Sequence, residues 1–383
     1  MLRLVSLWPY QKTWEKVVAR IYLAFAIVIL MLAQMIRGIE ECFYEDVNIE
    51  IVLENFSGFC YFIGIITRLI TSILSIDNFQ HLYEEITKDW KQVTDEEEKN
   101  VLRHFAKKGR LLTIIYSVYA YGSCVLYITS TAVIPMLLNE ILTKKEPLPK
   151  MLCLYGEFFV DQEKYFNHIF LLILFSGIGH MAITTAIDGT YINCVQHILG
   201  LFNIIKYKLE ELNKIVSDPV TYNSEDIADV INNNIMFCIK THKRCLELTI
   251  LLQEACNKCF FIMSAIMILG LSTFSVDLVI NINRPINFLR IFTLWFAAII
   301  YLFYISWPGQ KLIDTSNELF IWIYSSGWYQ FPLKSKNDMR LMMLRSKKPC
   351  QLTAGPLLIM SFETCGLILR TAFSYFTAVA SMG

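Results

Sequence analysis

The sequence lacks the patterns that carry catalysis. It has no GxSxG, no glycine-rich phosphate loop, no HExxH and no clustered carboxylate pair, and the six histidines (81, 104, 168, 180, 197 and 242) share no ligand spacing. Cys256-Asn-Lys-Cys259 has CxxC spacing, but no second cysteine or histidine pair accompanies it. We therefore expect no enzyme, no resident metal and no cofactor. Internal repeats, low-complexity tracts and a soluble domain are missing too. So is an excess of charge of either sign: 34 Lys and Arg balance 34 Asp and Glu, which points to no nucleic-acid partner.

What remains is apolar. Of 383 residues, 55% are hydrophobic and only 18% charged, more apolar surface than a soluble core of this size buries. The mean hydropathy is +0.45, so the chain reads as an all-α, multi-pass membrane protein. A bilayer core of roughly 30 Å needs about 20 apolar residues in a helix. Seven stretches qualify, near 18–38, 51–75, 111–138, 166–200, 255–282, 286–307 and 352–382, and together they make residues 1–383 one unit. The first, apolar from Ile21 to Ile36, has no small-x-small cleavage site and reads as a retained signal anchor. The last runs to Met382-Gly383, and we expect it to be a working element rather than an anchor.

Lys and Arg set the orientation. With the N-terminus inside, clusters such as Lys107-Lys108-Gly-Arg110 and Arg345-Ser-Lys-Lys348 all fall on the cytoplasmic side. The outside then holds only Lys144, Lys145, Lys150, Lys164 and Arg284, and its first loop is acidic (Glu40, Glu41, Glu45, Asp46 and Glu50). Seven spans put the C-terminus outside, opposite to a G-protein-coupled receptor. Cys42 and Cys153 fall in outside loops, and whether they are bridged stays open. Asn55-Phe-Ser57 matches the glycosylation pattern but begins at the membrane edge of the second span.

Three cytoplasmic connections carry helical spacing. Ser75 to Arg110 extends the second and third spans. Leu201 to Lys214 continues the fourth, breaks at Asp218-Pro219 and resumes at Ser224. Trp307-Pro308 to Pro349 is amphipathic over Ile313–Tyr324 and turns at Gly327. Together they predict a cytoplasmic helical bundle that holds subunits together.

The outer halves of the second, third, fourth and sixth spans are rich in aromatics. A pocket for a small apolar ligand needs such walls and a few hydroxyls, so Phe59, Phe62, Ser123, Tyr127, Phe175, Phe288 and Phe292 are the candidate ligand-binding residues. Aromatics at helical spacing also face lipid or pack. Among ionisable residues in spans, Arg68 and Asp188 read as structural, whereas Glu363 and Arg370, seven apart on one face, fit either pairing or a conduction path.

Tyr324-Ser-Ser-Gly-Trp328, Met339-Arg-Leu-Met-Met-Leu-Arg-Ser-Lys-Lys-Pro349, Leu352-Thr-Ala-Gly355 and Ser374-Tyr-Phe376 resemble the C-terminal region of insect odorant receptors. The inverted seven-helix topology and the length agree over the whole chain. The resemblance implies an odour-gated nonselective cation channel in the plasma membrane of olfactory neuron dendrites. In it a ligand-tuning subunit joins a common co-receptor in a heterotetramer and takes a small volatile ligand. Carried over from Ser374-Tyr-Phe376, the pore positions would be Ala378, Ser381 and Met382. The connection between the fourth and fifth spans is shorter than the co-receptor's, and Ala378 is smaller, so the chain resembles a tuning subunit. Gustatory receptors share the topology, but their typical Thr-Tyr and Gln-Phe residues are not matched near the end of the last span. Asp-Arg-Tyr and Asn-Pro-x-x-Tyr, the marks of a G-protein-coupled receptor, are absent, as are the paired broken helices of a transporter.

Overall fold

The structure, a computed structural model, describes residues 2–8, 10–43, 49–133, 135, 137, 152–154, 156–217 and 224–381. Among these are nine α-helices: α1 (Thr13–Glu41), α2 (Ile49–Leu74), α3 (Ile76–Gln92), α4 (Glu96–Ser130), α5 (Phe166–Ser217), α6 (Ser224–Ile280), α7 (Pro285–Tyr324), α8 (Leu333–Ser346) and α9 (Phe362–Ala380). Six of them, α1, α2, α4, α5, α6 and α7, are long and apolar enough to cross a membrane.

Local chemistry explains several boundaries. Asp95 caps α4 by accepting from the Glu97 amide (3.0 Å), and three glutamates follow in the first turn, where the helix dipole favours them. Pro285 occupies the first turn of α7, where its missing amide costs nothing. Gly327 ends the segment after α7 at φ 64°, a conformation that glycine adopts without strain.

The expected spans survive as helix centres, but their ends move. Helix α4 starts at Glu96 and stops at Ser130, so the outer end of the 111–138 span is not one continuous helix. Helices α5 and α6 have 52 and 57 residues. At about 1.5 Å per residue each is more than twice as long as the hydrocarbon core is thick. The surplus forms the inner bundle with α3, the far end of α7, and α8. The expected break at Asp218-Pro219 lies outside the described residues, and α6 does begin at Ser224. Helix α7 runs through Pro308 without a break. The last span does not start at 352: Thr353–Ala354 and Leu358–Ile359 pair antiparallel in a small hairpin, and α9 begins only at Phe362, capped by Ser361 Oγ on the Thr364 amide (3.3 Å). Its 19 residues still span roughly 28 Å.

The core follows α5. Tyr191, Val195, Ile198, Phe202, Ile205 and Leu212 are almost completely buried between α4, α6 and α7. A second cluster, Leu23, Ile27, Phe62, Ile65, Ile173 and Ile183, joins α1, α2 and the outer part of α5. Ions lock the inner bundle. Arg244 of α6 holds Asp89 (2.7 Å) and Glu85 (2.5 Å) of α3, and Asp89 also meets His197 of α5 (2.9 Å). Lys208 of α5 bridges Asp95, Glu98 and Glu211.

Candidate ligand cavity

Six helices converge on a cavity of about 260 Å³. One face of α2 supplies the longest wall: Glu54, Gly58, Tyr61, Phe62 and Arg68 follow each other at helical spacing. Helix α1 adds Leu30 and Gln34, α4 adds Tyr116, Ala120, Ser123 and Tyr127, and α5 adds Ile173, His180 and Thr184. Met263, Met267 and Gly270 of α6 face Thr293, Ala297 and Tyr301 of α7. The methionines suit an adaptable apolar site, because their side chains repack at little cost.

Polar groups gather at both ends. At the outer end Arg290 donates to Glu54 Oε2 (2.5 Å) and to the Cys153 carbonyl (2.9 Å), and Tyr127 OH donates to the same carbonyl (2.7 Å). This knot pins the segment around Cys153 and Leu154 over the cavity. At the inner end the Arg68 guanidinium lies 4.7 Å from the centre of the Tyr301 ring. Tyr116 OH reaches Asp188 (3.5 Å), and Tyr116 stacks on Tyr304 with centroids 3.7 Å apart. Four helices meet there. Arg68, expected as a packing residue, thus stands in the cavity wall, whereas Asp188 packs behind it against Tyr116.

Of the candidate ligand residues, Phe62, Ser123 and Tyr127 stand in the wall. Phe59, Phe175, Phe288 and Phe292 do not. Phe59 and Phe175 are exposed on the outside of the bundle, and Phe288 stacks on Phe292 (6.0 Å) along another face of α7. Gln34, Glu54, Arg68 and His180 belong to the wall instead. The readable signal for them was a lone polar side chain inside an apolar run.

Of the pore candidates, Ala378 and Ser381 are exposed near the end of α9, and Ser381 Oγ donates to the Ala378 carbonyl (2.8 Å). Met382 lies outside the described residues. Glu363 and Arg370 are exposed on α9 and, roughly 10 Å apart along the axis, make no pair with each other. Cys42 and Cys153 are both free thiols, one exposed and one buried. Asn55 is buried inside α2, where no glycosyl group fits.

A family model described as 7tm Odorant receptor matches residues 48–373. Odorant receptor 10 of Aedes albopictus is 22% identical over 337 residues, covering 86% of this chain and 83% of that protein. Odorant receptor 10a of Drosophila melanogaster is 22% identical over 219 residues, covering 57% of this chain and 53% of the relative. Odorant receptor 49a of the same fly is 28% identical over 85 residues, 22% of each chain. The matches thus span about a fifth and a half of the two fly proteins' lengths. The structure of the insect olfactory receptor OR5 from Machilis hrabei in complex with eugenol superimposes with a TM-score of 0.75 at 10% identity, covering 100% of this chain and 96% of that one. A second structure of that receptor gives 0.70 at 11% identity. Identity that low shows a shared fold.

Proposed function

Because the chain belongs to the 7tm odorant receptor family of multi-pass membrane proteins, we propose that it is the ligand-tuning subunit of an odour-gated cation channel. The observation that carries this is the cavity itself: it is walled by six helices, has a polar knot near each end, and borders the two helices, α6 and α7, that also pack on α9. A small volatile of low polarity binds there. Ligand that prefers the open arrangement 100-fold shifts the equilibrium by about 2.7 kcal/mol, a useful amount when the closed state is only modestly favoured.

Helix α9 lines the pore, with Ala378, Ser381 and Met382 toward the axis and Met382 as an apolar constriction that gates by dewetting. A common co-receptor completes a heterotetramer in the plasma membrane of olfactory neuron dendrites. The exposure of Ala378 and Ser381 in a single chain supports a role that other subunits complete.

Current recordings from cells that also express the co-receptor test the reading. Phe62→Ala and Tyr127→Ala should reorder the responses to an odour panel at normal surface labelling. An unchanged order in both variants would remove the cavity from the mechanism.

A further inference from the structure

Among the described glycines, three open onto empty space: a Cβ at Gly122, Gly270 or Gly366 meets nothing within 4 Å. Gly122 and Gly366 are exposed on the surface of the chain. Gly270 is buried, so the space in front of it lies inside the protein. It stands in the middle of a stripe of α6, Met263, Ile266, Met267, Leu271 and Phe274, that follows helical spacing and lines the cavity.

The other three glycines of the cavity wall are covered. Gln34 lies on Gly58, Ile128 and Cys124 close on Gly177, and the Met263 methyl lies 3.5 Å from a Cβ at Gly64. Helix α2 meets α6 on either side of Gly270, through Ser57 Oγ and Thr273 Oγ1 (2.9 Å) at one side and through Gly64 and Met263 at the other. Between those contacts no atom of α2 comes within 4 Å of the Gly270 Cβ position. Neither usual reason for a helical glycine applies here. Its φ is not positive, as those of Gly327 and Gly355 are, and no neighbouring helix approaches closely enough to need the missing side chain. Alanine would favour the helix more. What glycine provides at 270 is room.

We propose that Gly270 is the size-determining position of the cavity, and that its missing side chain sets the longest ligand that fits. A cavity of about 150 Å³ holds a six-carbon ring, so one of about 260 Å³ takes an apolar volatile with a skeleton of about ten carbon atoms. On the same scale each carbon placed at 270 removes room for about one carbon of ligand. The inference rests on the cavity being the ligand site.

The test uses the receptor expressed with its co-receptor, and records currents evoked by homologous series of 1-alkanols, 2-alkanones and alkyl acetates. Potency in the parent should peak at about ten carbon atoms. Gly270→Ala should move the peak about one carbon shorter and Gly270→Leu about four. In Gly270→Leu the longest active members should lose at least about tenfold in potency. Gly122→Leu adds the same bulk to an exposed face of α4 and should leave the peak in place. Should Gly270→Leu fail to reach the surface, Gly270→Ala alone decides. A peak that stays in the Gly270 variants while Phe62→Ala and Tyr127→Ala reorder the responses overturns the size role and keeps the cavity. An unchanged order in all four variants overturns the cavity with it. Silence of Gly270→Ala toward every length at parental surface labelling overturns the size role, because a methyl in open space leaves room for shorter ligands. A parent that answers no member of the three series overturns it as well.

Discussion

Gly309 of α7 lies directly against the backbone carbonyl of Met360, so close that a Cβ at 309 would overlap the Met360 oxygen and come within 2.9 Å of its Cβ. One residue on, Gln310 Oε1 accepts from the Phe362 amide at the start of α9 (3.2 Å). The same helix carries Thr293, Ala297 and Tyr301 in the cavity wall. Helix α7 is therefore one continuous helix with the cavity at one end and the root of α9 at the other, and the joint to α9 depends on a missing side chain.

Gly309→Ala should weaken that joint. The obstacle is backbone rather than the tip of a flexible side chain, so the added methyl displaces the Met360 segment at a cost of about 1–3 kcal/mol. Maximal odour-evoked current should fall at unchanged surface labelling. Adding Met360→Ala should not restore it, since the carbonyl stays in place; recovery in the double variant would show that only side chains collide.

Arg290 makes a second joint, across the outer end of the cavity. Arg290→Met leaves Glu54 buried without its cation, which costs about 3–5 kcal/mol. Surface expression and the melting temperature in detergent should both drop. Glu54→Leu combined with Arg290→Met should recover most of the loss, because an apolar pair needs no compensation; full additivity of the two single losses would argue against coupling.

The span centres were legible because about 20 apolar residues have few alternatives to a membrane helix. Their ends were not: hydropathy registers only the part of α5 and α6 that meets lipid, and the polar surplus reads as connection. The hairpin at 353–359 is as apolar as the helix it precedes, so the last span was begun ten residues early. In α7 both faces are apolar, hence nothing in the sequence distinguishes Phe288 and Phe292 from Thr293 and Ala297 as cavity residues. Phe62, Ser123 and Tyr127 do stand in the cavity wall, but α2 carries Phe56 and Phe59 on its exposed side as well, so aromatic content alone does not pick the cavity face.

Arg244 fastens α3 to α6 through its fork: Nε to Asp89, and two further bonds to the Glu85 carboxylate and the Glu85 carbonyl (3.0 Å). Arg244→Ala should lower stability by about 1.5–3 kcal/mol, the range for hydrogen bonds to charged groups. Arg244→Lys should recover less than half, since a point charge cannot meet three acceptors at once. Thermal melts of the detergent-extracted protein decide between these outcomes.

Acid should loosen the same inner bundle. The Lys88 ammonium, hydrogen-bonded to Glu85, and behind it Arg244, hold the Glu85 carboxyl below its ordinary 4.5. The Glu97 amide, and behind it Lys208, hold Asp95 below its ordinary 3.8. Both groups bind protons more weakly folded than unfolded, so their contribution is complete above the ordinary values and is lost as pH falls through the lowered ones. The melting temperature should accordingly stay flat from neutrality to about pH 5 and decline below about pH 4. Asp95→Asn separates the causes, because asparagine still caps α4 but does not titrate. Combined with Glu85→Gln, it should leave a shallower acid slope than the parent's. A slope as steep as the parent's would assign the acid sensitivity to other carboxylates and leave these two as spectators.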